Sequence, residues 1–184
     1  MQNTKDTLIQ ELEAYIPYDE TESRHKDTIL EFLSSCKNCF ERTNLAGHIT
    51  GSAFLLNKDK TKILLMHHKK LNKWLQFGGH ADSSTDILGV AIREAQEESG
   101  IQDITPLYTT IFDVDDHVIP ANATKSEPKH HHYDIRYVLT TSQEQFATNR
   151  ESMELKWVEL DKAENYIHSE SSKRVIVKLK KLLD

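Results

Sequence analysis

The first part of the chain shows the spacing of apolar side chains that is typical of amphipathic helices. Residues 4–16 predict a short helix, which Thr4 or Asp6 caps and which Pro17 ends. Residues 22–40 predict a second and longer helix, with its aliphatic and aromatic side chains on one face. We therefore expect a helical N-terminal segment.

From residue 47 onward the pattern changes to one typical of β-strands. Runs of aliphatic, β-branched and aromatic residues predict strands at 48–56, 62–68, 104–114, 133–140 and 154–160. A polar turn between the first two strands predicts a hairpin. The polar segment 115–129 contains two prolines and predicts a mobile loop. Residues 169–183 return to helical spacing and predict a C-terminal helix.

The centre of the chain combines two glycines with an acidic helix. Gly78 and Gly79 predict a loop, and the residues after it have helical periodicity. An apolar stripe on this helix, formed by Leu88, Ala91, Ile92 and Ala95, can pack into a core. Glu94, Glu97 and Glu98 fall beside that stripe, within an arc of about 100°. The helix is thus expected to be anchored on one face and to present three carboxylates.

Three neighbouring carboxylates repel one another and destabilise the helix by a few tenths of a kcal/mol per pair, to an order of magnitude. A hard divalent cation would convert this repulsion into affinity, because Mg²⁺ binds oxygen ligands and often shares them with substrate phosphates. The alternative is an ordinary solvated acidic helix face. The glutamates alone leave both interpretations open.

The residues around the glutamates resemble the signature box of the Nudix hydrolases. That box consists of a Gly, a distant Glu, and then Arg-Glu-aliphatic-any-Glu-Glu-any-Gly-aliphatic. In this chain Gly79, Arg93, Glu94, Ala95, Glu97, Glu98, Gly100 and Ile101 fall in register. The one departure is Thr85, which stands where the family usually has Glu. Agreement of residue types over such a long spacing makes the resemblance specific.

The resemblance implies a fold and a chain organisation. The fold is an α/β (α+β) arrangement of the Nudix type, in which a mixed β-sheet lies between helical layers. At 184 residues the chain has the length of one domain with an appendage. We expect a helical extension at residues 1–44, packed on a Nudix hydrolase domain at residues 45–184.

The resemblance also implies roles for individual residues. Glu94, Glu97 and Glu98 are expected to bind metal, Mg²⁺ or Mn²⁺, together with the backbone carbonyl of Gly78. Glu97 is also expected to take part in catalysis. Arg93 is expected to support catalysis by orienting the carboxylates. Our hypothesis for the departure is that Thr85 weakens the orientation of the helix and leaves metal binding intact.

The general base is not identified by the sequence. Some Nudix enzymes use an acidic residue on a loop outside the box. Here Asp113, Asp115, Asp116 and Glu127 are candidates, and an ordinary solvated carboxylate is the alternative for each of them.

Candidate substrate contacts lie close to the glycines. Gly79, His80, Lys69, Trp74 and His132 are the residues we select. Seven of the ten histidines lie between His67 and His132. Since side chains alternate along a strand, His130 and His132 share a face and are expected to approach His80. Histidine is the commonest transition-metal ligand, so a second metal site is an alternative to substrate contact.

Composition limits the partners of the protein. The formal net charge of −6 disfavours general nucleic-acid binding, which needs a basic surface. It does not exclude a phosphorylated small molecule, because bound metal adds local positive charge. No apolar run approaches the ~20 residues that span a membrane, and the N-terminus lacks the pattern of a signal peptide. We therefore expect a cytoplasmic protein that is free of membranes.

The two cysteines, Cys36 and Cys39, form a single Cys-x-x-Cys pattern. A structural zinc site needs four ligands, and the chain has no second cysteine pair. We predict two reduced cysteines on adjacent turns of the second helix.

Together these features predict a divalent-metal-dependent pyrophosphohydrolase. Its substrate would be a nucleoside diphosphate linked to another moiety, cleaved at a phosphoanhydride bond. The alternatives are a Nudix-fold nucleotide-binding or regulatory domain with weak catalysis, a prenyl-diphosphate isomerase, and an RNA 5′-pyrophosphohydrolase. The sequence does not identify the substrate. The oligomeric state is also open, and a homodimer is one possibility because many Nudix proteins dimerise.

Overall fold

The structure is a computed structural model that describes residues 4–122, 127–148, 150 and 152–183. Its α-helices in these ranges are α1 (Lys5–Ala14), α2 (Glu20–Ser35), α3 (Ile87–Ser99) and α4 (Glu170–Leu183), and a 3₁₀ helix at Leu160–Asn165 precedes α4. The strands are β1 (Gly47–Asn57), β2 (Lys62–His68), β3 (Lys73–Leu75), β4 (Phe77–His80), β5 (Ile104–Pro106), β6 (Asp113–Ile119), β7 (His130–Thr141) and β8 (Ser152–Glu159). No helix in the described ranges is long and apolar enough to cross a membrane.

The sheet is mixed and is built around β1. This strand pairs in parallel with β7 along its whole length, from Gly47 opposite His131 to Asn57 opposite Thr141. β1 also pairs antiparallel with β2, as the predicted hairpin requires, and with β4. β2 pairs with β3 and β8, while β7 pairs with β5 and β6. The central pair of β1 and β7 therefore has β2 and β4 on one side and β5 and β6 on the other.

Helices cover both faces of this sheet, and alternate residues of β1 show the two layers. Ala53 and Leu55 belong to a core that also contains buried side chains of α1, α2 and α3. Phe54 and Leu56 point to the opposite face, where they pack with α4. The predicted α/β/α sandwich with a mixed sheet is confirmed.

The N-terminal helices pack against the main sheet. Leu12, Ile29 and Leu33 are fully buried in the same core as Ile49 of β1. Thr4 caps α1 by accepting a hydrogen bond from the N–H of Thr7. The division of the chain between residues 44 and 45 stays a prediction.

The second helix ends earlier than expected, and this changes the setting of the cysteines. The helix ends at Ser35, and Cys36 already has extended backbone angles. The hydroxyls of Ser34 and Ser35 hydrogen-bond to the carbonyl of Glu31, a local bond that competes with helix continuation. Both cysteines are free. The prediction that they lie on adjacent helical turns is therefore wrong.

The two glycines lie in a strand and not in the loop predicted for them. Gly78 pairs with Ser52, and Gly79 pairs with Gly51, within the antiparallel ladder of β4 and β1. The loop begins after His80. Glycine and serine at these paired positions let the two backbones and α3 approach closely. The amino-acid composition alone does not reveal this use of glycine.

The segment after α3 also differs from the prediction. A single strand at 104–114 was expected, but β5 stops at Pro106 and the chain bends away before β6 begins at Asp113. Residues 115–119, expected in a mobile loop, continue β6 and pair with β7. Aspartates are depleted in strands, yet Arg136 binds the side chains of Asp113 and Asp115 here. The remainder of the predicted loop includes 123–126, which lie outside the described residues.

Candidate metal and phosphate site

The three box glutamates of α3 lie against strand β4. Glu98 is 6% exposed and accepts a hydrogen bond from the backbone N–H of Gly78 at 3.0 Å. Glu94 lies against Gly79, and a Cβ added to that glycine would stand 2.5 Å from Oε2 of Glu94. A side chain at position 79 would therefore displace the carboxylate of Glu94 from its present place.

Arg93 connects the acidic helix to the same strand. Its Nη2 donates to the carbonyl oxygen of His80 at 3.1 Å and to Oε1 of Glu94 at 2.8 Å. Its Nε lies 3.9 Å from Oε1 of Glu97. The guanidinium thus fixes one carboxylate against the backbone of β4 and lies beside a second.

Beside these carboxylates is an open cavity of about 700 Å³. That volume is typical of sites for small organic ligands, at roughly 300–1,000 Å³. Its lining is polar and contains both signs of charge. The charged and histidine side chains among the lining residues are Arg42, His68, His80, Asp82, Arg93, Glu94, Glu97, Glu98, His117, His132 and Asp134.

The donor set fits a hard divalent cation. Glu94, Glu97 and Glu98 supply carboxylate oxygens to one wall of the cavity, and oxygen is the ligand that Mg²⁺ prefers. The Glu97 side chain is 65% exposed, so it can reach a ligand in the cavity without losing a buried partner. Gly78 also lines the cavity.

A family model described as the NUDIX domain matches residues 48–179. That range contains the whole sheet except the first residue of β1, and also the acidic helix. The chain belongs to the Nudix superfamily.

Individual relatives agree with this assignment. A protein of Lactococcus lactis subsp. cremoris (strain MG1363), named probable DHNTP pyrophosphohydrolase, is 32% identical over 97 residues, which are 53% of this chain and 56% of the relative. The chain thus matches about half the length of this curated relative. A Nudix-family hydrolase structure from Clostridium perfringens is 27% identical, with a TM-score of 0.54 over 73% of this chain and 97% of that one. A C. elegans Ap4A hydrolase in a binary complex shares the fold, with a TM-score of 0.60 at 18% identity, over 73% of this chain and 96% of that one.

The departure from the Nudix box lies at the start of α3. Asp86 is the N-cap, and its Oδ1 accepts a hydrogen bond from the N–H of Gly89 at 3.0 Å. Thr85 lines a second and smaller cavity, of about 220 Å³, together with Glu11 and Tyr137. Asp86 therefore caps the helix that carries the three glutamates. The hypothesis that Thr85 weakens helix orientation stays a prediction.

The base of the Nudix cavity contains a buried carboxylate that sequence reasoning missed. Asp134 is 2% exposed and accepts hydrogen bonds from Thr50 at 2.9 Å and Ser52 at 2.8 Å. Arg136, two residues along β7, donates to it from Nε at 2.8 Å. Asp134 and Arg136 are two residues apart and share a face of β7, which was the available signal in the sequence. This Asp is too fully paired to act as a free base.

Four histidines meet at one end of the cavity. His130 and His132 lie on one face of β7, with ring centroids 5.2 Å apart, and the ring of His80 lies 5.1 Å from that of His132. His48 lies 4.9 Å from His80 and 5.1 Å from His130. Burial lowers the pKa of His132 to about 2 and that of His80 to about 4; the neighbouring histidines add to the first shift, and Arg42 adds to the second. Both imidazoles are therefore neutral at pH 7.

Some predicted site residues lie elsewhere. Lys69 and Trp74 do not line this cavity. Trp74 stacks on His67, with ring centroids 5.0 Å apart, and packs edge-on against Tyr166. These contacts are those of a side chain that packs within the protein. Substrate contact by Lys69 or Trp74 stays a prediction without support from their positions. A prenyl-diphosphate isomerase would need a catalytic cysteine at its site, and neither Cys36 nor Cys39 lines this cavity.

The four candidate bases also lie outside the cavity lining. Arg174 holds the buried carboxylate of Asp113 through two hydrogen bonds of 2.9 Å. Burial alone would raise the pKa of Asp115, but Arg136, His117 and His25 together outweigh it and the net shift of the pKa is downward. Asp116 lies 2.6 Å from Nδ1 of His131. Glu127 is exposed.

These aspartates belong to a buried charge network that joins three parts of the chain. Lys178 of α4 binds Glu22 of α2 at 2.8 Å and Asp113 of β6 at 3.1 Å. Arg136 extends the network from Asp113 to Asp134 at the cavity wall. The N-terminal helices are therefore linked by charge to the base of the cavity.

Proposed function

We propose that this Nudix protein is a divalent-metal-dependent pyrophosphohydrolase. The proposed substrate is a nucleoside diphosphate linked to another moiety, and the bond broken is a phosphoanhydride. The observation that carries the proposal is the placement of three carboxylates on one wall of a small-molecule cavity, with two of them held against β4.

The chemistry of the substrate explains why such a wall is useful. A phosphoanhydride resists hydrolysis because its negative oxygens repel an incoming nucleophile, so catalysis depends on positioning and on charge neutralisation. Glu94, Glu97, Glu98 and the carbonyl of Gly78 would hold the cation. When bound, Mg²⁺ or Mn²⁺ neutralises phosphate charge and lowers the pKa of a coordinated water.

The protein's own contribution is preorganisation. Arg93 holds Glu94, and the N–H of Gly78 holds Glu98, so neither carboxylate has to be ordered when ligands arrive. Glu97 is the most exposed of the three, with access to solvent and to the cavity. We assign it the shared role of metal ligand and activator of the attacking water. Arg93 acts as a positioning residue.

Arg42 is a further cation at the cavity wall. It lies in the segment between α2 and β1 and forms an ion pair with Asp82, just after β4. A guanidinium at this point favours a ligand that carries negative charge. The N-terminal extension would thus contribute to ligand binding as well as to the core.

The test is a substrate panel assayed with Mg²⁺ and with Mn²⁺. ADP-ribose, Ap4A, DHNTP and nucleoside triphosphates sample the arrangements of phosphates, and product formation is followed chromatographically. We expect metal-dependent turnover of at least one compound and a fall of about a hundredfold or more in Glu97→Gln. Glu31→Gln, which changes an exposed carboxylate on α2, is the control and should match the wild type.

One result would overturn the proposal. If no compound is turned over while metal binding is retained, the protein is better explained as a Nudix-fold binding domain.

A further inference from the structure

Three histidine side chains outside the acidic wall form a compact nitrogen-rich cluster. His48 lies on β1, and His130 and His132 lie on β7, where the parallel register places His48 directly opposite His132. One ring nitrogen from each residue can be chosen so that all three lie within 4.8 Å of one another. The sheet itself therefore brings together three potential ligands from two adjacent strands.

His48 is buried without a hydrogen-bond partner. The residue is 2% exposed, and neither of its ring nitrogens has a hydrogen-bond partner among the described residues. Leaving a buried polar group unpaired costs about 1–3 kcal/mol. A bound cation would satisfy the free lone pair.

The hydrogen bonding of His130 directs another lone pair to the same point. Its Nδ1 lies 2.9 Å from the carbonyl oxygen of Pro128. A carbonyl can only accept, so Nδ1 carries the proton and Nε2 of the neutral ring carries a lone pair. A carbonyl that fixes the tautomer in this way is the usual outer partner of a metal-binding histidine.

The distance between ring nitrogens of His130 and His132 matches metal coordination. Nε2 of His130 and Nε2 of His132 are 3.3 Å apart, a distance at which the two rings share a hydrogen bond when no cation is bound. Two nitrogens bound to one tetrahedral Zn²⁺ at 2.0–2.1 Å are separated by about 3.4 Å. Small rotations of the rings would bring the third nitrogen to a similar distance.

We propose that His48, His130 and His132 form a second cation site, selective for a borderline transition metal such as Zn²⁺, Co²⁺ or Ni²⁺. Imidazole nitrogens suit these ions, whereas Mg²⁺ and Ca²⁺ prefer oxygen, so the site differs in kind from the carboxylate wall. His80 is the next nearest imidazole, with its ring centroid 4.9 Å from that of His48. It is the fourth ligand, or else water from the cavity takes that position.

The proposed histidine site adjoins the cavity, so a cation bound there would affect ligand binding. His132 and His80 line the same cavity as the three glutamates. A divalent cation bound by the histidines would make the electrostatic potential at this end of the cavity more positive. A ligand bound by the three glutamates through its phosphates would then be attracted to the histidine end by any second negative group that it carries.

The test measures metal binding and does not depend on activity. Untagged, metal-free protein is titrated with Co²⁺ in the presence of excess Mg²⁺, which saturates the carboxylates, and the visible absorption of bound Co²⁺ is recorded. We expect one equivalent of Co²⁺ and a spectrum of low coordination number. Zn²⁺ should displace the Co²⁺ and abolish the absorption.

Variants locate the site. His48→Gln and His130→Gln should each weaken Co²⁺ binding at least tenfold, while Glu97→Gln should leave it unchanged. His131→Gln is the matched control, because His131 is adjacent in sequence but bonds to Asp116 on the other face of β7. Thermal unfolding of each variant verifies that it is folded. His48→Gln and His130→Gln test the site independently, because they alter ligands on two different strands.

Two results would overturn the proposal. The first is no saturable Co²⁺ binding in excess Mg²⁺. The second is Co²⁺ binding that both His48→Gln and His130→Gln leave unchanged, since the ion would then be bound elsewhere.

Discussion

The carboxylate of Glu98 accepts a hydrogen bond from the backbone N–H of Gly78, twenty residues earlier in the chain, at 3.0 Å. This bond joins the last turn of α3 to the strand that pairs with β1. Arg93 makes the corresponding link one turn earlier, between Glu94 and the carbonyl of His80. The acidic wall is therefore organised by the backbone of β4 before any ligand binds.

The close contact between Gly79 and Glu94 predicts a strong coupling. Gly79→Ala should lower the free energy of unfolding by about 1 kcal/mol, because the new Cβ would stand 2.5 Å from Oε2 of Glu94 and would push this carboxylate away from Arg93. In a Glu94→Ala background the methyl group has room, and the same substitution should cost much less. Urea unfolding of the wild type, the two single variants and the double variant measures this coupling. An equal cost in both backgrounds would show that the carboxylate does not set the packing distance.

The buried charge network predicts a large loss of stability when its centre is removed. Arg136→Met would leave the carboxylates of Asp113, Asp115 and Asp134 without their shared guanidinium. Removing one partner of a buried ion pair typically costs about 3–5 kcal/mol, and urea unfolding provides the measurement.

The matched control is an ion pair on the surface of the same sheet. Lys62 lies 3.6 Å from Glu159, and both side chains are well exposed. Lys62→Met should therefore change the free energy of unfolding by less than about 1 kcal/mol. Similar losses in the two variants would contradict the view that burial makes the Arg136 network important.

The buried histidines predict that metal-free protein loses stability in mild acid. The pKa values of His80 and His132 are lowered to about 4 and about 2, whereas histidine in an unfolded chain has a pKa of about 6.5. Below pH 6.5 the unfolded state binds protons that the folded state does not, so stability falls as the pH is lowered. At pH 5 each residue should account for about 1–2 kcal/mol of lost stability.

A comparison of two variants isolates this effect. The free energy of unfolding is measured from pH 7.5 to pH 5 in the wild type, in His132→Gln and in His168→Gln, which alters an exposed histidine. The slope with pH should become shallower in His132→Gln and should stay at the wild-type value in His168→Gln. An unchanged slope in His132→Gln would contradict the assignment of a neutral, buried imidazole.

Local patterns predicted much of this architecture, and long-range pairing explains what they missed. The acidic helix, the hairpin of β1 and β2, and the terminal helix follow from periodicity, which is a property of neighbouring residues. Most of strand β6 was predicted as a loop because Asp115 and Asp116 disfavour strands, and the pairing of Asp115 with Arg136 of β7 is not visible in their own segment. The glycines were placed in a loop because their pairing with β1 is not visible in their own segment.

The same reason applies to the candidate site. The glutamates and Arg93 belong to one continuous box, so their grouping could be predicted from spacing. His48 gave no local signal, because its approach to His132 depends on the parallel register of two strands more than eighty residues apart. Asp134 was hidden for the same reason, since Thr50 and Ser52 of β1 supply its hydrogen bonds.

The most direct test of the account is the dependence of turnover on Mg²⁺ concentration, measured on the best compound of the substrate panel. Wild type, Glu98→Gln and the control Glu31→Gln are compared. We predict no turnover of the wild type without a divalent cation, saturation on adding Mg²⁺, and a fall of about a hundredfold or more in Glu98→Gln, with Glu31→Gln unchanged. Hydrolysis that proceeds equally well in EDTA, or that Glu98→Gln leaves intact, would contradict the claim that the acidic wall of α3 is a metal-dependent catalytic site.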